Sequence, residues 1–233
     1  MRSRTPARLG LVLLLGLVAC ARGPHPPAVV PETAPVCSTP DHPASLADVK
    51  AHLRAYHASG AYDAAVTAVV REAGAYVAGL PADGARRAIV LDIDETALSN
   101  WTGLEESDFG FVPRLWNEWL MRGQATAIRP TVDLFRLARE RGYGVFFVTG
   151  RPESQRAVTE RNLRQAGYTD WDGLLMRPDG DRRSAAELKA PIRCGLVAQG
   201  WDIVANLGDQ PSDLAGGCAD RAFRVPNPFY LIP

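Results

Sequence analysis

The run Ala88-Ile89-Val90-Leu91 passes without a spacer into Asp92-Ile93-Asp94-Glu95-Thr96. Four consecutive apolar residues read as a short strand buried on both faces, the kind found in a parallel sheet covered by helices. Two carboxylates spaced i, i+2 at the end of such a strand repel one another and invite water. A structural chain gains little from them there, whereas a metal or phosphoryl site gains a nucleophile and a neighbouring acid.

The rest of the chain repeats the strand–helix alternation. Ser45 is placed to cap a helix through Arg54, and residues 61–78 read as a second helix, with Ala65, Val66, Val69, Val70, Ala73 and Val77 on one face. Pro130 to Arg141 reads as a helix stopped by Gly142, and Val145 to Val148 as a buried strand. Glu153 to Gln165 is a helix ending at Gly167, and Ser184 to Gln199 another, with Pro191 as a candidate break. Ile203 to Leu207 and Ala222 to Val225 read as strands. The fold class is therefore α/β: a Rossmann-like, largely parallel sheet flanked by helices, preceded by N-terminal helices.

In a parallel sheet the C-terminal strand ends share one edge, where ligands bind. The strand at 145–148 leads into Thr149-Gly150-Arg151, and that at 203–207 into Gly208-Asp209-Gln210-Pro211-Ser212-Asp213. Asp92, Asp94, Asp209 and Asp213 can thus meet Thr149 in one crevice, joined by Lys189. Lys occurs only twice, at Lys50 and Lys189, among 26 basic residues. Four carboxylates together need a cation, and hard oxygen ligands favour magnesium (Mg2+).

Composition closes off other chemistries. The 26 basic and 26 acidic residues cancel, so no bulk electrostatic case exists for nucleic acid or an acidic membrane surface. His25, His42, His52 and His57 are the four His, so chemistry after residue 57 runs without imidazole. That excludes Ser-His-Asp hydrolysis, phosphohistidine chemistry and His-ligated zinc there. Four Cys are too few for a disulfide scaffold.

The first residues read as an export signal. Arg2, Arg4 and Arg8 precede an apolar run from Leu9 to Val18, which is too short to span a bilayer. Residues 23–43 hold seven prolines of the chain's 18 and read as an extended tether. Among Cys37, Cys194 and Cys218, the favoured bridge is Cys194–Cys218, because Cys37 lies in the tether; unpaired buried thiols are the alternative.

These segments resemble known families. Leu17-Val18-Ala19-Cys20 resembles the bacterial lipoprotein box, which implies removal of 1–19 and lipidation of Cys20, with 20–44 as lipidated Cys and tether. That places the protein in a bacterial envelope, lipid-anchored and facing the periplasm or exterior, with the outer membrane favoured. Val90 to Thr96, Val148-Thr149-Gly150-Arg151, Lys189 within Ala186-Glu187-Leu188-Lys189, and Gly208 to Asp213 resemble motifs one to four of the haloacid-dehalogenase-like (HAD) superfamily. The flanks Ala97-Leu98-Ser99-Asn100, Asn162 to Tyr168 and Pro226-Asn227-Pro228-Phe229-Tyr230 resemble its acid phosphatase subfamily IIIB, of class B or plant vegetative-storage type.

The resemblance covers residues 45–233 and implies roles. Asp92 is the expected nucleophile and Asp94 the expected acid and base. Thr149, Gly150 and Lys189 are expected to hold the phosphoryl group. Magnesium is expected on Asp92, the Asp94 carbonyl, Asp209 and Asp213. An insertion at about 97–129 carries Trp101, Phe109, Phe111, Trp116 and Trp119. It reads either as a small cap stacking on an aryl or nucleobase leaving group or as ordinary packing. The expected function is magnesium-dependent hydrolysis of small phosphomonoesters, nucleotides and aryl phosphates among them. Phosphotransfer to alcohols and a non-catalytic storage or binding role are the alternatives, and no nucleic-acid partner is expected.

Overall fold

The computed structural model describes residues 44–232; the expected signal, Cys20, Cys37 and the tether lie outside them. Helix α1 (Leu46–Ala58) begins where Ser45 accepts a hydrogen bond from the Asp48 amide at 3.1 Å. Helix α2 (Ala61–Gly79) follows and buries Tyr62, Val66, Val70, Ala73 and Val77. Strand β1 (Arg87–Leu91) is buried along its whole length.

An insertion then holds β2 (Leu98–Ser99), α3 (Trp101–Glu106), α4 (Pro113–Arg122) and β3 (Thr126–Ala127), and the antiparallel β2–β3 pair closes its base. Helix α5 (Arg129–Glu140) leads to β4 (Gly144–Pro152). A 3-10 turn at Glu153–Gln155 opens α6 (Arg156–Ala166), which ends at Gly167 in the left-handed conformation. Next come β5 (Gly173–Arg177), α7 (Ala185–Ala198), β6 (Asp202–Gly208), α8 (Pro211–Leu214) and β7 (Arg221–Arg224).

The five long strands form one parallel sheet in the order β5-β4-β1-β6-β7, with β1 at its centre. Residues of β1 and β4 alternate between two different cores, as the period of two requires. Ile89, Leu91, Val145, Phe147 and Leu207 pack with α2, α5 and α6 on one face. Ala88, Val90, Phe146, Val148 and Ile203 pack with Leu196 of α7 on the other.

Two expectations need correction. Strand β5 was not anticipated from the sequence: its Gly173-Leu174-Leu175-Met176-Arg177 alternates in burial, as an edge strand does, and lacks the continuous apolar signature of its neighbours. Helix α7 is not broken at Pro191 but runs through it. Proline there forfeits one backbone bond, yet buried Leu188, Lys189, Arg193 and Leu196 and the Ser184–Glu187 capping box hold both halves in line.

Cys194 of α7 and Cys218, beyond α8, form a disulfide. The favoured pairing is thus the one present, and neither of the two described cysteines is an unpaired thiol.

Candidate active site

Because β1 lies between β4 and β6, the residues following it are flanked by those closing β4 and those following β6. Asp92 is 6% exposed, and its amide donates to the Leu207 carbonyl at 2.9 Å, tying it to the neighbouring strand. Lys189, from the second turn of α7, donates from Nζ to Asp92 Oδ1 and to Asp213 Oδ1, the latter at 2.6 Å. Burial alone would lower the ammonium's pKa; the two carboxylates outweigh it and raise it, so Lys189 stays charged.

Asp209 and Asp213 arrive on the turn after β6. Asp213 Oδ2 accepts from the Gln210 amide at 2.9 Å, which folds the side chain back over Gly208. A Cβ at Gly208 would lie 2.3 Å from Asp213 Cβ, so only glycine leaves room for that return. Asp209 accepts from the Asn227 and Gln210 amides, Asn227 at 2.7 Å.

Oxygens of Asp92, Asp209 and Asp213 lie within 4.8 Å of one another, and all three residues are buried. One ammonium against three carboxylates leaves negative charge uncompensated. The strain appears as proton affinity: burial, then Asp213 and Glu95, push Asp209 up to about 7. Burial likewise raises Asp92 well above the carboxylate range, with Asp213, Asp209 and Asp94 adding to it against Lys189. Hard oxygen donors with surplus negative charge fit a divalent cation, which would relieve that repulsion.

Asp94 points elsewhere. Its Oδ1 accepts from Arg151 NH2 at 2.6 Å and Asn100 Nδ2 at 2.8 Å, and Arg151 Nε adds longer bonds to both oxygens. Burial would raise this carboxyl; Arg151 and Asn100 together hold it below its ordinary value. The side chain of Asp94 is therefore outside the three-carboxylate cluster, and only its backbone carbonyl remains for the expected metal role.

Thr149 is fully buried on β4, with Oγ1 accepting from the Arg151 amide at 3.1 Å, which leaves its hydroxyl proton to donate. Gly150 is exposed on the same strand, and its carbonyl accepts from Arg177 at 3.3 Å.

Several participants had no role assigned from sequence. Arg151 was noted only as a guanidinium after β4. Asn100, Asn227 and Tyr230 stood in the family-like flanks without chemistry. Glu95 sits in the left-handed region (φ 53°), 1% exposed, a conformation a side-chain residue adopts only where its surroundings hold it. It accepts from the Asn100 amide at 2.7 Å and from Tyr230 Oη, while burial, then Asp94, push it up to about 7.

The insertion's aromatics are mostly packed. Trp119 is 4% exposed with its indole N–H on Asn100 Oδ1 at 2.8 Å, and Trp101, Phe109 and Trp116 lie against the main core. Phe111 alone of the five is largely exposed, at 75%.

A family model described as HAD superfamily, subfamily IIIB (acid phosphatase), matches residues 38–233. The chain belongs to that family. It is similar to acid phosphatase 1 of Solanum lycopersicum, at 34% identity over 187 residues, covering 78% of this chain and 73% of that protein. It is also similar to the stem 28 kDa glycoprotein of Glycine max, at 37% identity over 61% of this chain and 59%, less than two thirds, of that protein. In fold it is similar to the class C acid phosphatase of Bacillus anthracis, with a TM-score of 0.66 and 24% identity over 78% of this chain and 86% of the other. The chain is thus a phosphatase of a family whose members use a divalent metal, and its buried Asp92–Asp209–Asp213 cluster is able to hold one.

Proposed function

We propose that this phosphatase hydrolyses small phosphomonoesters through an aspartyl-phosphate on Asp92, with magnesium held by Asp92, Asp209, Asp213 and the Asp94 carbonyl. The observation that carries the reading is the convergence of Asp92, Lys189, Asp209 and Asp213 in one buried cluster at the sheet's C-terminal edge. When bound, the cation would draw charge off the nucleophile and the phosphoryl oxygens and so reduce their repulsion.

The chain's own groups do the rest. A carboxylate oxygen of Asp92 attacks phosphorus as the ester P–O bond breaks, and Asp94 gives its proton to the departing oxygen. Asp94 then takes a proton from water, which displaces Asp92 and releases phosphate. Arg151 and Asn100 favour the ionised form of Asp94, which suits the second step. The arriving phosphoryl anion, of like charge, raises its proton affinity for the first. Thr149, the amides near Gly150, and Lys189 hold the phosphoryl oxygens. Aryl phosphates, alkyl phosphates and nucleotides all present the same group to these residues.

The test is Asp92→Asn with chelation. The variant is expected to fold and to lose at least ~10³-fold in rate, as removal of a covalent route does. Chelation should abolish activity and magnesium restore it. Turnover near wild type in Asp92→Asn overturns the nucleophile, and full activity after chelation overturns the metal. Release of phosphate to an added alcohol instead of water would identify the transferase alternative.

We further propose that the protein works outside the cytoplasm on a lipid anchor at Cys20. The lipoprotein-like box at 17–20, the proline-rich 23–43 and the Cys194–Cys218 disulfide support this, because reducing compartments rarely keep such bridges. Among the described residues, no helix is long and apolar enough to cross a membrane.

A further inference from the structure

We propose that Asn100 is a positioning residue for Asp94, and that Trp119 of the insertion fixes which way its amide faces. The proposal rests on the reading of Asp94 as the proton-transferring group.

Asn100 has no exposed surface, and every polar atom of its side chain is engaged. Nδ2 donates to Asp94 Oδ1 at 2.8 Å and to Glu95 Oε2 at 3.3 Å, and Oδ1 accepts from Trp119 Nε1 at 2.8 Å. Chemistry makes this orientation unique. An indole N–H only donates and the ionised Asp94 carboxylate only accepts, so a flipped amide would set oxygen against that carboxylate and N–H against N–H. Trp119 has a seat built for it: a Cβ on Gly103 would come within 2.6 Å of its ring. The insertion's helices α3 and α4 therefore meet at this indole, and its N–H reaches Asp94 through one amide.

The consequence is a distinction between the two oxygens of Asp94. Among the described residues, Oδ1 is taken up by Arg151 NH2 and Asn100 Nδ2, with Arg151 Nε at 3.2 Å, whereas Oδ2 receives only Arg151 Nε at 3.1 Å. Oδ2 is the oxygen left to carry the proton. It gives that proton to the leaving oxygen as the ester P–O bond breaks, and takes one from water in the second step. Loosening Asn100 frees the carboxyl to rotate and blurs the distinction.

A poor leaving group needs that proton and a good one does not. The experiment measures kcat/KM with magnesium present for wild type, Asn100→Asp, Trp119→Phe and Asp94→Asn, on 4-nitrophenyl phosphate and on glycerol 2-phosphate. Asp94→Asn should lose ~10²-fold or more beyond its aryl loss on the alkyl ester, as removal of a general acid does. Asn100→Asp, which keeps the shape but loses the donors, should show a preferential alkyl loss of about 10–10²-fold. Trp119→Phe stays aromatic but drops the hydrogen bond and some buried volume, so about 3–10-fold is expected on the alkyl ester and little on the aryl one. Equal losses on both substrates in the Asn100 and Trp119 variants, while Asp94→Asn discriminates, would mean that the pair only supports the fold. Uniform loss in Asp94→Asn would overturn the acid reading itself and this proposal with it. Should Asn100→Asp fail to fold by circular dichroism, Trp119→Phe decides alone.

Discussion

Lys189 shows how far one side chain can be argued from its surroundings. Its ammonium touches Asp92 and Asp213 at once, and all three side chains are buried. A guanidinium is planar and prefers to grip one carboxylate with two nitrogens, so Arg cannot reproduce two separate point contacts. Lys189→Arg is expected to lower kcat/KM by ~10–10³-fold, because a misplacement of about 1 Å costs ~10²-fold where positioning carries the rate. Lys50, the chain's other Lys, makes an ion pair with the largely exposed Asp108, and Lys50→Arg should behave as wild type. Equal activity of both variants in a steady-state assay would remove Lys189 from the site. The sequence pointed to Lys189 through its rarity and its resemblance to motif three, on the helix before the strand at 203–207. It gave no such sign for Asn100 or Glu95, whose chemistry exists only because a turn at φ 53° brings them beside Asp94.

Helix α7 is the element on which the site depends most, and it is held from three directions. Arg193, 1% exposed, donates to the carbonyls of Asp213, Ala215 and Gly217, with Asp213 at 2.7 Å. One turn of chemistry earlier, Lys189 meets the Asp213 carboxylate, and one residue later Cys194 binds Cys218. The loop carrying Asp209 and Asp213 is thereby fastened to the helix carrying Lys189. The bridge spans 24 residues, for which chain entropy gives about 3 kcal/mol. Cys194→Ala with Cys218→Ala is therefore expected to lower stability by about 2–4 kcal/mol in urea unfolding, and an unchanged midpoint would contradict it. Pro191 works against the same helix. It is exposed and forfeits a backbone bond, so Pro191→Ala should add about 1–2 kcal/mol and raise Tm by a few degrees in calorimetry. A fall in Tm would show that the proline ring serves packing.

At the scale of the molecule, the described chain from Ala44 onward forms one compact unit that contains every group of the candidate site. The proposed lipid anchor should then be separable from catalysis. Cys20→Ser is expected to release the protein from membranes while leaving kcat/KM on 4-nitrophenyl phosphate unchanged. Mass spectrometry of the mature N-terminus checks the anchor directly: a terminus other than residue 20, without lipid, removes it.

The sequence by itself determined the central strands and named the candidate site residues. Buried strands β1, β4 and β6 are written as continuous apolar runs, because a strand covered on both faces has no polar side to show. Asp92, Asp94, Thr149, Asp209 and Asp213 lie at the ends of those runs and could be named from local pattern, whereas Lys189, on a helix, was named through its rarity and the family resemblance. The edge strand β5 was hidden, since half its surface is wet and its alternation is short. What only the tertiary structure decided is which carboxylates meet. Asp92, Asp209 and Asp213 cluster, with Lys189 on Asp92 and Asp213, whereas Asp94, two residues from Asp92, turns to Arg151 and Asn100. Successive strand residues face opposite ways, but past the strand's end the backbone leaves that period, and a carboxylate goes to the cation that packing brings nearest. Those partners lie 6 and 57 residues away, and no local pattern encodes their distance.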